Sequence, residues 1–258
     1  MEMRGLMGGF YKISEWIMRL AVTNVLWIIC AFPFWFVMIG GFWALQSVTE
    51  DQVTSSLTQS VILLAIVSPF TFFPATSAMF SVARKWVLGD ADVPLFKTFF
   101  RSYKQNFVQA MLGGIIYSVL MAVLIIDYKV YLSSMSGFGV IAYLFIALLV
   151  LLVISLHHFF SLLSHFHMKT FQLLKNAVVL TIGKPIRSLI MTIGTAAILM
   201  ISYRFNFLIP FFFGSIIALF TFFNFNIVIQ KMMIAKDSDS SDENEEPEIP
   251  ENQRETKK

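Results

Sequence analysis

Six separate runs of this chain are apolar for 18 residues or more, and that pattern restricts the fold more than any other feature. They are Leu20–Leu45, Leu57–Val82, Phe107–Ile126, Gly137–Leu163, Ile186–Tyr203 and Phe207–Ile229. A bilayer core of about 30 Å takes about 20 residues of helix to cross. Inside lipid every backbone N–H and C=O must be paired within the segment, so apolar runs of this length span as helices. The expected fold is therefore all-α: a polytopic membrane protein, a bundle of six transmembrane helices. Composition agrees, with 57% of the 258 residues hydrophobic and 14% charged, against about 45–50% and 25% for soluble domains.

The charges between the runs set the orientation. Lys and Arg are retained on the cytoplasmic side of short loops. The lead 1–19 carries three, segment 83–106 five, the stretch from 164 into the fifth run four, and the end of the chain five. The segments on the other side carry only Lys129 and Arg204. Seventeen of the 19 basic residues thus fall on one side of a six-span path, which predicts both termini cytoplasmic. A five-span path would mix the two populations. The first run is too long for a signal peptide and lacks a small-residue cleavage site, so it is expected to stay as an anchor.

The domain plan follows. Residues 1–19 form an amphipathic lead, with Phe10, Ile13, Trp16 and Ile17 at helical spacing, suited to the interface or to extending the first span. Residues 20–231 are the membrane domain, with basic cytoplasmic loops 83–106 and 164–185. Residues 232–258 are expected to be a disordered acidic tail, since residues 236–258 hold nine acids against four bases.

Few residues in the spans carry chemistry. No Asp, Glu, Lys or Arg lies mid-span, which disfavours proton- or sodium-coupled transport. The four histidines fall between His157 and His167 with no Cys or acid nearby, too sparse a set for zinc. His157 and His158 are expected to bond to a neighbouring helix, as are Asn24, Asn224 and Asn226. Cys30 is the lone cysteine, so no intrachain disulfide forms. No metalloprotease, phosphate-loop or nucleophile-elbow motif is present. No enzyme activity, cofactor, metal or nucleic-acid partner is expected. Prolines interrupt the spans, and Pro33, Pro69 and Pro74 are candidate kinks, with Pro210 a fourth.

The most informative surface is basic. FPATSAMFSVARKWVLGD leaves the membrane at Arg84-Lys85-Trp86, turns at Gly89–Asp92, and Pro94 opens a helix. Phe96, Phe99, Phe100, Tyr103 and Phe107 fall on one side of it; Lys97, Arg101 and Lys104 fall on the other. With Lys169 and Lys175 of the second basic loop, the residues Arg84, Lys85, Trp86, Lys97, Phe99, Arg101 and Lys104 are candidate contacts for a partner or for lipid headgroups, worth about 1 kcal/mol per cation near an anionic surface.

Three segments carry a family resemblance: FYKISEWIMRLAVTNVLWI at Phe10–Ile28, FPATSAMFSVARKWVLGD at Phe73–Asp90 followed by PLFKTFFRSYKQNF, and LLKNAVVLTIGKPIRSL at Leu173–Leu189. Together they resemble the YesL-like family of bacterial membrane proteins of unknown function, over roughly residues 5–230. The acidic tail and the segment His157–His167 lie outside the family pattern. The resemblance implies the plasma membrane of a Gram-positive bacterium and proximity to polysaccharide-degrading enzymes and sugar transporters. It supplies no catalytic or binding residue. The expected function is a non-enzymatic accessory or regulatory component beside ABC-type carbohydrate uptake, in contact with the bilayer and with importer subunits. The alternative is a permease or channel for a small neutral solute, with kinked span two lining its path. The sequence sets no substrate and no oligomeric state.

Overall fold

The computed structural model describes residues 6–134 and 139–244. Ten helices follow one another: α1 (Leu6–Cys30), α2 (Phe32–Ser47), α3 (Glu50–Val67), α4 (Phe72–Val87), α5 (Leu95–Ser134), α6 (Gly139–His165), α7 (Thr170–Gly183), α8 (Pro185–Arg204), α9 (Leu208–Phe211) and α10 (Phe213–Asn244). No strand occurs among the described residues. Among the described residues five helices are long and apolar enough to cross a membrane, and six if the bent pair α3–α4 is counted as one span.

Helix α4 is the axis. Residues 73–83 are buried without interruption, so the helix is covered on every face, by α1, α5, α6 and α10. Its sequence explains this. Ala75, Thr76, Ser77, Ala78, Ser81 and Ala83 are small, and small residues let helices approach closely where lipid offers no hydrophobic drive between them. On α5, Gly113 and Gly114 extend the same device. A Cβ on Gly113 would lie 2.2 Å from Phe159, and one on Gly114 would lie 2.8 Å from the Cα of Pro69. The aromatic rings of Phe73, Tyr117, Phe159 and Phe160 fill the space so made, at centroid distances of 5.3–6.3 Å. Polar side chains bond across the helices: Trp27 Nε1 donates to Thr76 Oγ1 at 3.0 Å, and Tyr117 and Ser155 pair through their hydroxyls at 2.8 Å.

The prolines sit at the breaks. Pro33 lies in the first turn of α2, where a missing N–H is not needed, and bonds from Ala31 N to Trp27 O and from Trp35 N to Ala31 O carry the ladder across. Between α3 and α4 the chain bends by 57°. Pro69 lies in that bend and Pro74 in the first turn of α4. Ser68 O accepts from Phe73 N at 3.0 Å and Thr71 Oγ1 donates to Val67 O at 3.0 Å, which pairs the loosened backbone.

The break between α9 and α10 at Phe212 is repaired differently. Asn24 of α1 is fully buried there. Its Nδ2 donates to Ile209 O at 3.0 Å and Pro210 O at 2.8 Å. Its Oδ1 accepts from Gly214 N at 2.8 Å and Ser215 N at 3.2 Å. One carboxamide thus serves the end of one helix and the start of the next.

Several boundaries differ from the sequence pattern. The lead is not a separate element: α1 is continuous through 19–20, because nothing there breaks its helical hydrogen bonding. Leu20–Leu45 is the second half of α1 plus most of α2. Segment 83–106 is not an open loop, since α5 begins at Leu95 and runs for 40 residues, about 60 Å. A helix of that length exceeds the thickness of a core of about 30 Å. Segment 164–185 is mostly α7, which ends at Gly183 before Pro185 as the sequence reads. The acidic tail is helical as far as Asn244, continuing α10. Residues 1–5, 135–138 and 245–258, including the rest of the tail, lie outside the described residues.

Asn24→Ala would leave two buried N–H groups, of Gly214 and Ser215, and two part-buried carbonyls without that partner, at about 1–3 kcal/mol for a buried unsatisfied group. The expected result is a loss of about 2 kcal/mol or more in denaturant titration in mixed micelles, with Asn24→Asp intermediate because it keeps the acceptor. An unchanged midpoint for Asn24→Ala would contradict the repair.

Candidate functional site

The basic end of the bundle gathers the end of α4, the start of α5, the end of α6, α7, and the start of α8. Helix α4 finishes with Arg84 and Lys85 in its last turn, where cations complement the helix dipole. Leu88 N and Gly89 N then bond back to Arg84 O and Trp86 O, and Asp90 N to Lys85 O. Gly89 has φ +94°, the left-handed geometry that closes a helix and that glycine adopts without strain.

The turn after Gly89 is tied to α1. Arg19, 6% exposed, donates to both Glu15 and Asp92. Its guanidinium also lies over the Trp16 ring, and Trp16 meets Trp86 edge-on at 5.6 Å. A buried cation needs such partners. The joint fixes where α5 starts and how it leaves the bundle.

From that start, α5 presents two different faces. Thr98, Phe99 and Asn106 point into the protein, with Phe99 0% exposed and Asn106 Nδ2 donating to Ser81 Oγ at 3.3 Å. Phe96 is 61% exposed and Phe100 48% exposed, and Lys97, Arg101 and Lys104 are exposed beside them. Among the described residues the ion pairs are Arg19 with Glu15 and Asp92, and Lys85 with Asp90. The three cations of α5 therefore face outward without an acid partner among those residues. Across a short gap, Gln109 Nε2 donates to Met168 O at 2.8 Å, holding the α6–α7 link against α5. A concavity of about 380 Å³ opens there, lined by Gln105, Asn106, Gln109, His167, Met168 and Lys169. Lys169, Phe171 and Lys175 are exposed next to it.

The candidate contacts thus divide. Trp86 and Phe99 are buried core residues, Trp86 packing on Trp16 of α1; neither is available to a partner. Arg84 is half-buried and donates from Nη1 to Ser164 O at 2.6 Å, locking the ends of α4 and α6 together. Lys85 makes an exposed pair with Asp90 at 3.8 Å, of little energetic weight. Lys97, Arg101, Lys104, Lys169 and Lys175 remain on the surface. Phe96 and Phe100 belong with them, and the aromatic stripe read from the sequence is split, Phe99 inward and its neighbours outward.

The histidines are structural in their bonding. His157 Nε2 lies 3.0 Å from Thr195 Oγ1 and His158 Nε2 lies 2.9 Å from Ser188 Oγ, both on α8. His165 stacks on Phe222. Among the described residues no group of three metal-ligating side chains converges. Asn224 bonds to Phe220 O at 2.9 Å on its own helix and lies 3.4 Å from Arg187 Nη1 of α8. Sequence reading missed the Arg19–Asp92 pair, whose members stand 73 residues apart with no spacing to link them.

Phe99→Ala is expected to destabilise the protein by about 3–5 kcal/mol, and Phe100→Ala by less than about 0.5 kcal/mol, in the same micellar unfolding assay. The reverse order would mean that α5 is rotated relative to this description.

Comparison with known sequences fits this architecture. Residues 20–128 match the family described as "Protein of unknown function, DUF624", a stretch that contains the α3–α4 bend, all of α4, the Gly89 turn and most of α5. Three proteins of Bacillus subtilis (strain 168) are similar, each named as uncharacterized. YesL is 27% identical over 212 residues, covering 82% of this chain and 85% of the relative. YteU is 28% identical over 218 residues, covering 84% of each. YesV is 31% identical over 145 residues, covering 55% of this chain and 69% of the relative. No solved structure matches. The chain belongs to the YesL-like, DUF624 family of membrane proteins.

Proposed function

We propose that this YesL-like protein is a non-enzymatic accessory or regulatory subunit of a bacterial plasma membrane, with both termini cytoplasmic, acting beside an ABC-type carbohydrate importer. The observation that carries this reading is the filled axis. Helix α4 occupies the centre of the bundle and is covered on all sides over residues 73–83. A permease whose path followed kinked span two would need Pro74, Ala75 and Ala78 to face water, and they are packed against neighbouring helices.

What a filled bundle offers instead is its outside. The start of α5 is helical and exposes Phe96, Lys97, Phe100, Arg101 and Lys104 together. Aromatic anchors flanked by cations suit an acidic surface with an apolar notch. The positive-inside distribution of Lys and Arg supports a cytoplasmic position for that face. The importer is the partner implied by the resemblance to YesL-like proteins.

A photo-crosslinking residue in place of Phe100, followed by mild-detergent purification and mass spectrometry, tests the reading. Importer subunits are expected in near-equal amount with the protein. Lys97→Glu combined with Arg101→Glu is expected to cut their recovery at least tenfold without changing membrane insertion. Recovery of the protein alone, or equal recovery from the double variant, would refute it.

A further inference from the structure

Helices α8 and α10 enclose a second concavity at the basic end, of about 420 Å³. Three of its lining side chains are cations: Lys184 from the α7–α8 junction, Arg187 from α8 and Lys231 from α10. Lys184 and Lys231 are exposed and Arg187 is half-buried. None takes part in an ion pair among the described residues. Arg187 has one polar neighbour, Asn224 Oδ1 at 3.4 Å, which is neutral and at the long limit of hydrogen bonding. Three positive charges therefore line one hollow and repel one another until an anion joins them.

The hollow is continuous with an apolar stripe. Ile186 lines it and is 73% exposed; Leu189, Ile190 and Ile193 follow on α8 and are also exposed. These positions are spaced i, i+3, i+4 and i+7, so they form one face. Both helices are membrane spans, with α8 beginning and the span of α10 ending at this level. The site thus combines a cationic mouth at the interface with an apolar track running into the bilayer.

We propose that this hollow binds the phosphate headgroup of an anionic phospholipid of the cytoplasmic leaflet, with an acyl chain lying along Ile186, Leu189 and Ile193. A free phosphate would use the same cations. The apolar track is what assigns the site to a lipid, since a soluble anion has no contact to make with it. The assignment is independent of the importer reading, because α5 contributes nothing to it.

Native mass spectrometry of the full chain released from phosphatidylcholine nanodiscs containing a minority of phosphatidylglycerol tests it. Retention of phosphatidylglycerol over phosphatidylcholine is expected. A cation near an anionic lipid contributes about 1 kcal/mol, so Lys231→Gln should weaken that preference about fivefold. The triple variant Lys184→Gln, Arg187→Gln, Lys231→Gln should abolish it. Lys12→Gln removes one exposed positive charge elsewhere at the same end and should leave it intact. Lys231 is on the surface, so its single variant reads the site even where the triple variant folds poorly. Equal retention of the two lipids by the unmodified protein would overturn the proposal. So would an equal loss with Lys12→Gln, or displacement of half or more of the phosphatidylglycerol by equimolar inorganic phosphate, which would show that the apolar track adds nothing to binding.

Discussion

The close approach of neighbouring helices to α4 is the constraint on which the rest of the structure depends. In a bilayer, apolar side chains gain nothing by leaving lipid for protein, so packing distance and hydrogen bonds decide which helices associate. The Ala-Thr-Ser-Ala stretch of α4 and the Gly113–Gly114 pair of α5 reduce that distance. Once the backbones are close, large rings from α4, α5 and α6 interdigitate rather than point into lipid. Helices α2 and α3, which lack such a face, have no buried residue and stand at the periphery.

Packing on a central helix demands breaks elsewhere, and two of the three breaks are repaired by a polar group from a distant part of the chain. The α3–α4 bend is served by its own Ser68 and Thr71. The α9–α10 break is served by Asn24, some 185 residues away. The turn after α4 is served by Arg19 through Asp92. Two of the three repairs come from α1. That helix is thus a polar splint as well as a span, and its partners lie on the segments before and after the bundle's longest helix.

Much of this was legible in the residues. The apolar runs gave the all-α, multi-span class, and the prolines and Gly183 marked real breaks, because those residues act on the backbone locally. The cross-helix bonding of His157, His158 and Asn24 followed from the need to pair polar groups in lipid, whereas Asn224 bonds chiefly to Phe220 O on its own helix. Legibility failed where tertiary geometry decides. The helix continuing through residues 19–20 and the uninterrupted α5 depend on helical hydrogen bonds that hydropathy does not register. Phe99 and Phe100 are adjacent and identical in type, and only the rotation of α5 about its axis separates core from surface. The run Met232–Asn244 is polar enough to read as tail, yet it continues the ladder of α10. Lys184, Arg187 and Lys231 converge only because α8 and α10 are neighbours at one end.

Function in this account resides on the outside of a solid bundle. The start of α5 exposes cations and aromatic rings for the proposed partner, and the α8–α10 hollow exposes cations for the proposed lipid, while α4 packs at the centre of the bundle. The central claim is that the axis is dry, and cysteine accessibility along α4 tests it most directly. In a Cys30→Ser background, cysteines replacing Ala75, Ala78 and Val82, which are 0% exposed, should resist small hydrophilic thiol reagents applied from either side. A cysteine replacing Gln52, in the exposed first turns of α3, should react. Rapid modification along one face of α4 would reveal a water-filled path through the bundle and contradict the account.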